Sequence, residues 1–169
     1  MIITIGNITI SNEPVVSREI YQTVCDELDT CITSELGTAS EFDYTGRIYD
    51  IMDVYKIARL YGNTIYMQDS SYKEPTLVSL SEFIEANSIS TKPYVVDEFD
   101  CENYAIDLLS DVLNYYGNVP FGMAKIRGPN GSHRLNCAYI EGEWYWVEPQ
   151  SDYLYTELDD GYEVVFIMI

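Results

Sequence analysis

Residues 133–148, HRLNCAYIEGEWYWVE, decide the fold of this chain. Two apolar and aromatic runs, 133–140 and 143–148, flank the dipeptide Glu141-Gly142, which is typical of a two-residue hairpin turn. Such a turn pairs Ile140 with Glu143 and so fixes the register of both strands. Because side chains alternate across a strand, His133 and Glu148 then share one face in diagonal positions. A slip of one residue would move Glu148 to the other face.

The elements around this hairpin are predicted from hydrophobic periodicity and from turn residues. An amphipathic helix over 101–116 carries Leu108 and Val112 on its apolar side and ends before Gly117. At least one of Trp144 and Trp146 is expected in the core. Further elements are predicted as a strand or small hairpin over 2–10, helices over 14–32, 47–61 and 79–87, a loop over 33–46, and strands over 64–67, 121–127 and 162–169. Helices followed by an antiparallel sheet predict an α+β fold.

The length of 169 residues suits one domain with an extension. We expect residues 1–45 to form an N-terminal strand and helix extension of unknown role, and residues 46–169 to form the main domain. No run is apolar enough for a membrane span and no signal peptide is evident, so the sequence predicts a soluble, cytoplasmic protein with reduced thiols.

Charge narrows the function classes. The chain has 28 Asp and Glu against 9 Lys and Arg, for a formal net charge of -19. This balance argues against a nucleic-acid partner and against docking on an anionic membrane. It leaves divalent cations, a basic protein partner, or solubility alone.

Three residues have the order that a thiol hydrolase needs. Cys101 begins the 101–116 helix, where the helix dipole favours a thiolate, although the neighbouring acids oppose it. His133 follows as a candidate base, and Glu148 as the group that orients it. The alternative is structural: Cys101 is then a small apolar residue at a helix start, and the His–Glu pair only holds the hairpin together.

The segments FDCENYA (99–105) and SHRLNCAYIEGEWYWVEPQSD (132–152) resemble the papain-like domain of a fungal chimeric agglutinin and related phage and bacterial proteins. The resemblance covers roughly residues 60–169. It implies a papain-like fold and a calcium-dependent cysteine peptidase that acts on a protein or peptide substrate in a prokaryotic or phage-infected cell. By motif, Cys101 matches the nucleophile, His133 the base and Glu148 the orienting acid. Sugar binding is not implied, because in the agglutinin it belongs to a separate β-trefoil domain.

Two further expectations follow from that resemblance. Papain-like enzymes place a Gln six residues before the Cys as an oxyanion donor, and here Val95 stands in that position, which leaves Gln150 as a weak candidate. Calcium near the site would draw on the surrounding carboxylates of Asp97, Asp100, Glu102 and Asp152. The alternative for the acids before the helix is a favourable N-terminal charge set.

Two other functions stay open from the sequence. The first is a non-catalytic acidic binding protein of viral or phage type, which would meet a basic partner or imitate the charge of DNA. The second is a degenerate papain-like module kept for structure or assembly, since a fold does not fix a function.

Overall fold

A computed structural model of the chain describes residues 3–5, 8–10, 38–129 and 131–169. The chain divides into two units, Met1–Gly37 and Thr38–Ile169. In the first unit, β1 (Ile3–Ile5) pairs antiparallel with β2 (Ile8–Ile10), which confirms the hairpin predicted over 2–10. The helix predicted over 14–32 lies outside the described residues. The division into an extension over 1–45 and a domain over 46–169 stays a prediction.

The second unit is built on a six-stranded sheet. Its order is β4-β10-β6-β7-β8-β9, and every neighbouring pair is antiparallel except β4 and β10, which run parallel. A separate two-stranded sheet pairs β3 with β5. The strands are β3 (Tyr44–Asp50), β4 (Ile65–Tyr66), β5 (Ser71–Pro75), β6 (Phe121–Gly128), β7 (Gly131–Ile140), β8 (Glu143–Glu148), β9 (Tyr153–Tyr155) and β10 (Glu163–Met168).

Three α-helices accompany the strands in the described part of the chain: α1 (Ile51–Tyr61), α2 (Leu77–Ala86) and α3 (Cys101–Tyr116). Each begins at a residue whose side chain accepts a backbone N–H bond, which satisfies one of the free donors of a helix N-terminus. These caps are Asp50, Thr76 and Asp100. The third helix has the bounds predicted for it, and it ends at Gly117, whose φ of 71° suits glycine.

The hairpin at the centre of the sheet has the predicted register. Ile140 pairs with Glu143, and Asn136 pairs with Val147. The turn residues Glu141 and Gly142 have φ values of 54° and 88°, as a primed two-residue turn requires. The side chains that share a face in this hairpin are therefore those that the turn predicts.

Two hydrophobic cores lie on opposite faces of the sheet. One joins α2 and α3 to Phe121, Ala138, Ile140 and Val147. The other joins α1 to Leu135, Cys137, Trp144, Trp146 and their neighbours. Both tryptophans are buried, as expected for at least one of them. α3 therefore covers one face of the sheet, and α1 packs on the other face, which carries Trp144 and Trp146.

The region around α1 differs from the prediction. The helix expected over 47–61 begins at Ile51, because residues 44–50 form β3 against β5. The spacing of Ile48 and Met52 predicts an apolar stripe, but both side chains are exposed, and α1 buries Val54 and Ala58 instead. These small side chains let α1 pack closely on the tryptophan face. None of the described helices is long and apolar enough to cross a membrane.

Candidate ligand-binding site

His133 and Glu148 meet on one face of the sheet. His133 lies near the start of β7 and Glu148 ends β8, and Nε2 of the imidazole is 2.6 Å from Oε2 of the carboxylate. Oε1 of Glu148 accepts bonds from the backbone and side-chain N–H groups of Gln150 at 3.2 and 3.3 Å. Gln150, predicted as an oxyanion donor, is thus held by Glu148. The carboxylate fixes the orientation of the imidazole.

The helix α3, which Cys101 begins, packs on the other face of the sheet. The β7 residues that face α3 have even numbers: Nδ2 of Asn136 donates to the carbonyl oxygen of Ala105 at 2.8 Å, and the Arg134 guanidinium pairs with Glu102 at 3.2 Å. Because neighbouring side chains on a strand point to opposite faces, His133 points away from α3. The structure brings His133 and Glu148 together, and the placement of Cys101 beside them stays a prediction.

Three of the four carboxylates predicted as calcium ligands have other partners. Asp100 caps α3, Glu102 pairs with Arg134, and Asp152 accepts a bond from Oγ of Ser90 at 2.5 Å. Asp97 lies ahead of the helix with a φ of 63°. Calcium takes six to eight oxygen ligands, yet within 38–129 and 131–169 no three His, Cys, Asp or Glu side chains are grouped to hold a metal ion. Calcium binding stays a prediction.

A cavity of about 430 Å³ opens beside the His133–Glu148 pair. Three tyrosines line it, together with three carboxylates and two apolar side chains. These residues are Tyr153, Tyr155, Tyr162, Glu148, Glu157, Asp159, Ile126 and Leu158. Its described lining contains neither Lys nor Arg. The cavity is therefore aromatic and negatively charged, with His133 as its single nitrogen base.

The cavity is positioned by β9 and the segment that follows it. Tyr153 pairs with Glu148, and Tyr155 pairs with Trp146, so both tyrosines share the face that carries His133. Burial, and then the nearby carboxylates of Glu148 and Asp159, raise the pKa of Tyr155 to about 12. Its phenol stays protonated at neutral pH and keeps a hydroxyl donor in the cavity.

Residues 153–163, YLYTELDDGYE, supply most of this lining and were not predicted as functional. The signal was present as two tyrosines at strand spacing, followed by acids, a glycine and a third tyrosine. Sequence reasoning missed it because alternating tyrosines are equally typical of a half-buried strand.

A scan against protein-family models and a search of the curated proteins find no match to the chain. Among solved structures, the PSL1a-E64 complex is similar over 72% of this chain and 51% of that chain, with a TM-score of 0.64 and 18% identity. Polyporus squamosus lectin bound to the human-type influenza-binding epitope Neu5Acα2-6Galβ1-4GlcNAc is similar over 63% of this chain and 42% of that chain, with a TM-score of 0.54 and 19% identity. The chain spans about half the length or less of these matches. The likeness shows a shared fold.

These matches contradict the family predicted from the sequence. The similar structures are those of a lectin, so the prediction of a papain-like cysteine protease domain is wrong in family and in fold. The prediction of a cysteine hydrolase is contradicted by the same matches, and a peptide substrate has no support in them.

Proposed function

We propose that the chain is a non-catalytic binding protein that holds a carbohydrate in the cavity beside His133 and Glu148. The observation that carries the proposal is the lining, in which three tyrosine rings and three carboxylates meet in one cavity of about 430 Å³. Binding cavities for small ligands have volumes of about 300 to 1,000 Å³ and combine aromatic walls with a few polar groups.

The chemistry of the lining suits a sugar. The faces of the tyrosine rings of Tyr153 and Tyr155 offer apolar surface to the C–H groups of a pyranose ring. The carboxylates of Glu148, Glu157 and Asp159 accept bonds from sugar hydroxyl groups, while His133 and the phenols can donate. The fold shared with a structure of a lectin in complex with a glycan supports the same ligand class.

The charge of the cavity restricts which sugar it holds. Three carboxylates and no Lys or Arg in the described lining disfavour a ligand that carries its own carboxylate. We therefore expect a neutral or amino sugar, unlike the sialylated epitope bound by the Polyporus squamosus lectin.

The test compares two tyrosines of similar exposure. Tyr153 is 66% exposed and lines the cavity, whereas Tyr66 is 59% exposed and lies on β4 outside it. A neutral glycan selected on an array should bind the native chain, and Tyr153→Ala should weaken it about tenfold in calorimetric titration, which corresponds to about 1.4 kcal/mol of lost stacking. Tyr66→Ala should bind normally. Equal affinities in both variants, or no glycan bound at all, would overturn the proposal.

A basic protein partner is a second candidate, favoured by the net charge of -19. Tyrosine rings and carboxylates together also accept a Lys or Arg side chain. Ionic strength separates the two candidates, because charge-driven association weakens steeply with salt and sugar binding does not. Binding that disappears between 50 and 500 mM NaCl would favour the basic partner.

A further inference from the structure

A second cavity, of about 560 Å³, adjoins the first. Glu157, Leu158 and Tyr162 line both cavities, so the two lie side by side and share one wall. We infer that they are neighbouring subsites of one cleft, and that the ligand is an oligosaccharide which extends across Tyr162 rather than a single sugar. This inference rests on the proposed function.

The shared wall is held in place by a glycine. A Cβ atom at Gly128 would lie 2.3 Å from Cε1 of the Tyr162 ring and within 2.7 Å of Cζ, so the ring rests directly on the backbone of β6. The backbone N–H of Tyr162 also donates to the carbonyl oxygen of Asp159 at 3.3 Å. Tyr162 is thus a supported wall residue that the two cavities share.

The second cavity repeats the chemistry of the first. Tyr61 lines the second cavity. Its ring is stacked on that of Trp144, with 5.1 Å between the ring centroids, and lies edge-on to that of Trp146 at 5.7 Å. These two contacts orient the Tyr61 ring. Polar groups of Asn63, Thr156 and Glu163 complete the lining. An aromatic wall beside hydroxyl, amide and carboxylate groups suits another unit of the same kind of ligand.

The two cavities differ in where their aromatic rings come from. Tyr153 and Tyr155 belong to β9, whereas Tyr61 ends α1. A ligand that fills only the first cavity does not reach Tyr61. Ligand length therefore distinguishes a single site from a cleft.

The experiment is a calorimetric titration with gluco-, galacto- and N-acetylglucosamine oligomers of one to four units. In the native chain, affinity should rise about tenfold once the ligand is long enough to enter the second cavity. Tyr61→Ala should remove that gain. Since loss of the Trp144 stack could disturb folding, Leu60→Ala, a change at a largely exposed residue of the same cavity, should reduce the gain as well. Met52→Ala, on α1 but outside the cavity, should keep it.

Single sugars that bind with no increase in affinity for longer oligomers would overturn the inference and leave the proposed function standing. A gain in affinity for longer oligomers that persists in both Tyr61→Ala and Leu60→Ala would also overturn the inference and leave the proposed function standing. Failure of all three series to bind at any length would count against the proposed function itself.

Discussion

Gly128 and Tyr162 show how one absent side chain shapes a cavity wall. Gly128→Ala should push the Tyr162 ring away from β6 and cost about 1–3 kcal/mol in the free energy of unfolding, as overpacking does. In a Tyr162→Ala background the same change should cost much less, because the ring that it strikes is gone. Urea denaturation of the native chain, of both single variants and of the double variant measures this coupling. An equal cost of Gly128→Ala in both backgrounds would show that Tyr162 does not rest on Gly128.

Part of the site could be predicted from the local sequence. The turn at Glu141-Gly142 sets the strand register, so the meeting of His133 and Glu148 follows from local sequence. A register does not tell which face of a sheet a distant helix covers. The orientation of Cys101 relative to His133 depends on the packing of α3, which the apolar residues on both faces of β7 leave undetermined. The motif order of Cys, His and Glu therefore does not fix where Cys101 lies relative to the pair.

Among the elements, α3 is the clearest case of a helix predicted from its periodicity. Leu108 is 1% exposed and packs on the sheet, whereas Ile106 on the same helix is 51% exposed. Leu108→Ala should lower the free energy of unfolding by about 2–5 kcal/mol, since it leaves a cavity in the core. Ile106→Ala should change it by about 0.5 kcal/mol or less. Similar losses in thermal or urea unfolding would contradict the orientation given to α3.

The strand β3 shows why another element escaped prediction. Its residues pair with β5, which lies more than twenty positions further along the chain, and Tyr49 binds the buried carboxylate of Glu74 through its hydroxyl. Neither contact is visible in the local sequence around Ile48. A helical spacing of apolar residues there therefore predicted a longer α1 than the chain forms.

At the scale of the whole molecule, buried and half-buried tyrosines link stability to alkaline pH. Burial, followed by the Glu74 hydrogen bond, raises the pKa of Tyr49 to about 12, and Tyr155 is raised to about 12 as well. The unfolded chain releases these protons near pH 10, before the folded chain does, so the stability that they contribute is present below about pH 10 and is lost toward pH 12. We expect the urea midpoint to fall over that range. The urea midpoint of the double variant Tyr49→Phe, Tyr155→Phe should fall less steeply. An identical fall would show that these two tyrosines do not contribute to the loss of stability.

The structure shows where the acidic residues of its described part lie. Of the carboxylates in the described residues, only Glu74 is buried, and it is held by Thr45, Tyr49 and the backbone N–H of Glu141. Three others line the cavity beside His133, where they bear on ligand charge. The other acids of the described residues reach solvent to some extent, where like charges favour solubility.

The central claim, a ligand cavity at His133 that does not depend on Cys101, can be tested through the single His of the chain. Its imidazole NMR signals are therefore assigned without ambiguity, and the ring itself lines the cavity. Saturation with a neutral oligosaccharide that binds in calorimetry should shift these signals equally in the native chain and in Cys101→Ala. Unmoved signals in the native chain, or a shift that is lost in Cys101→Ala, would contradict the account.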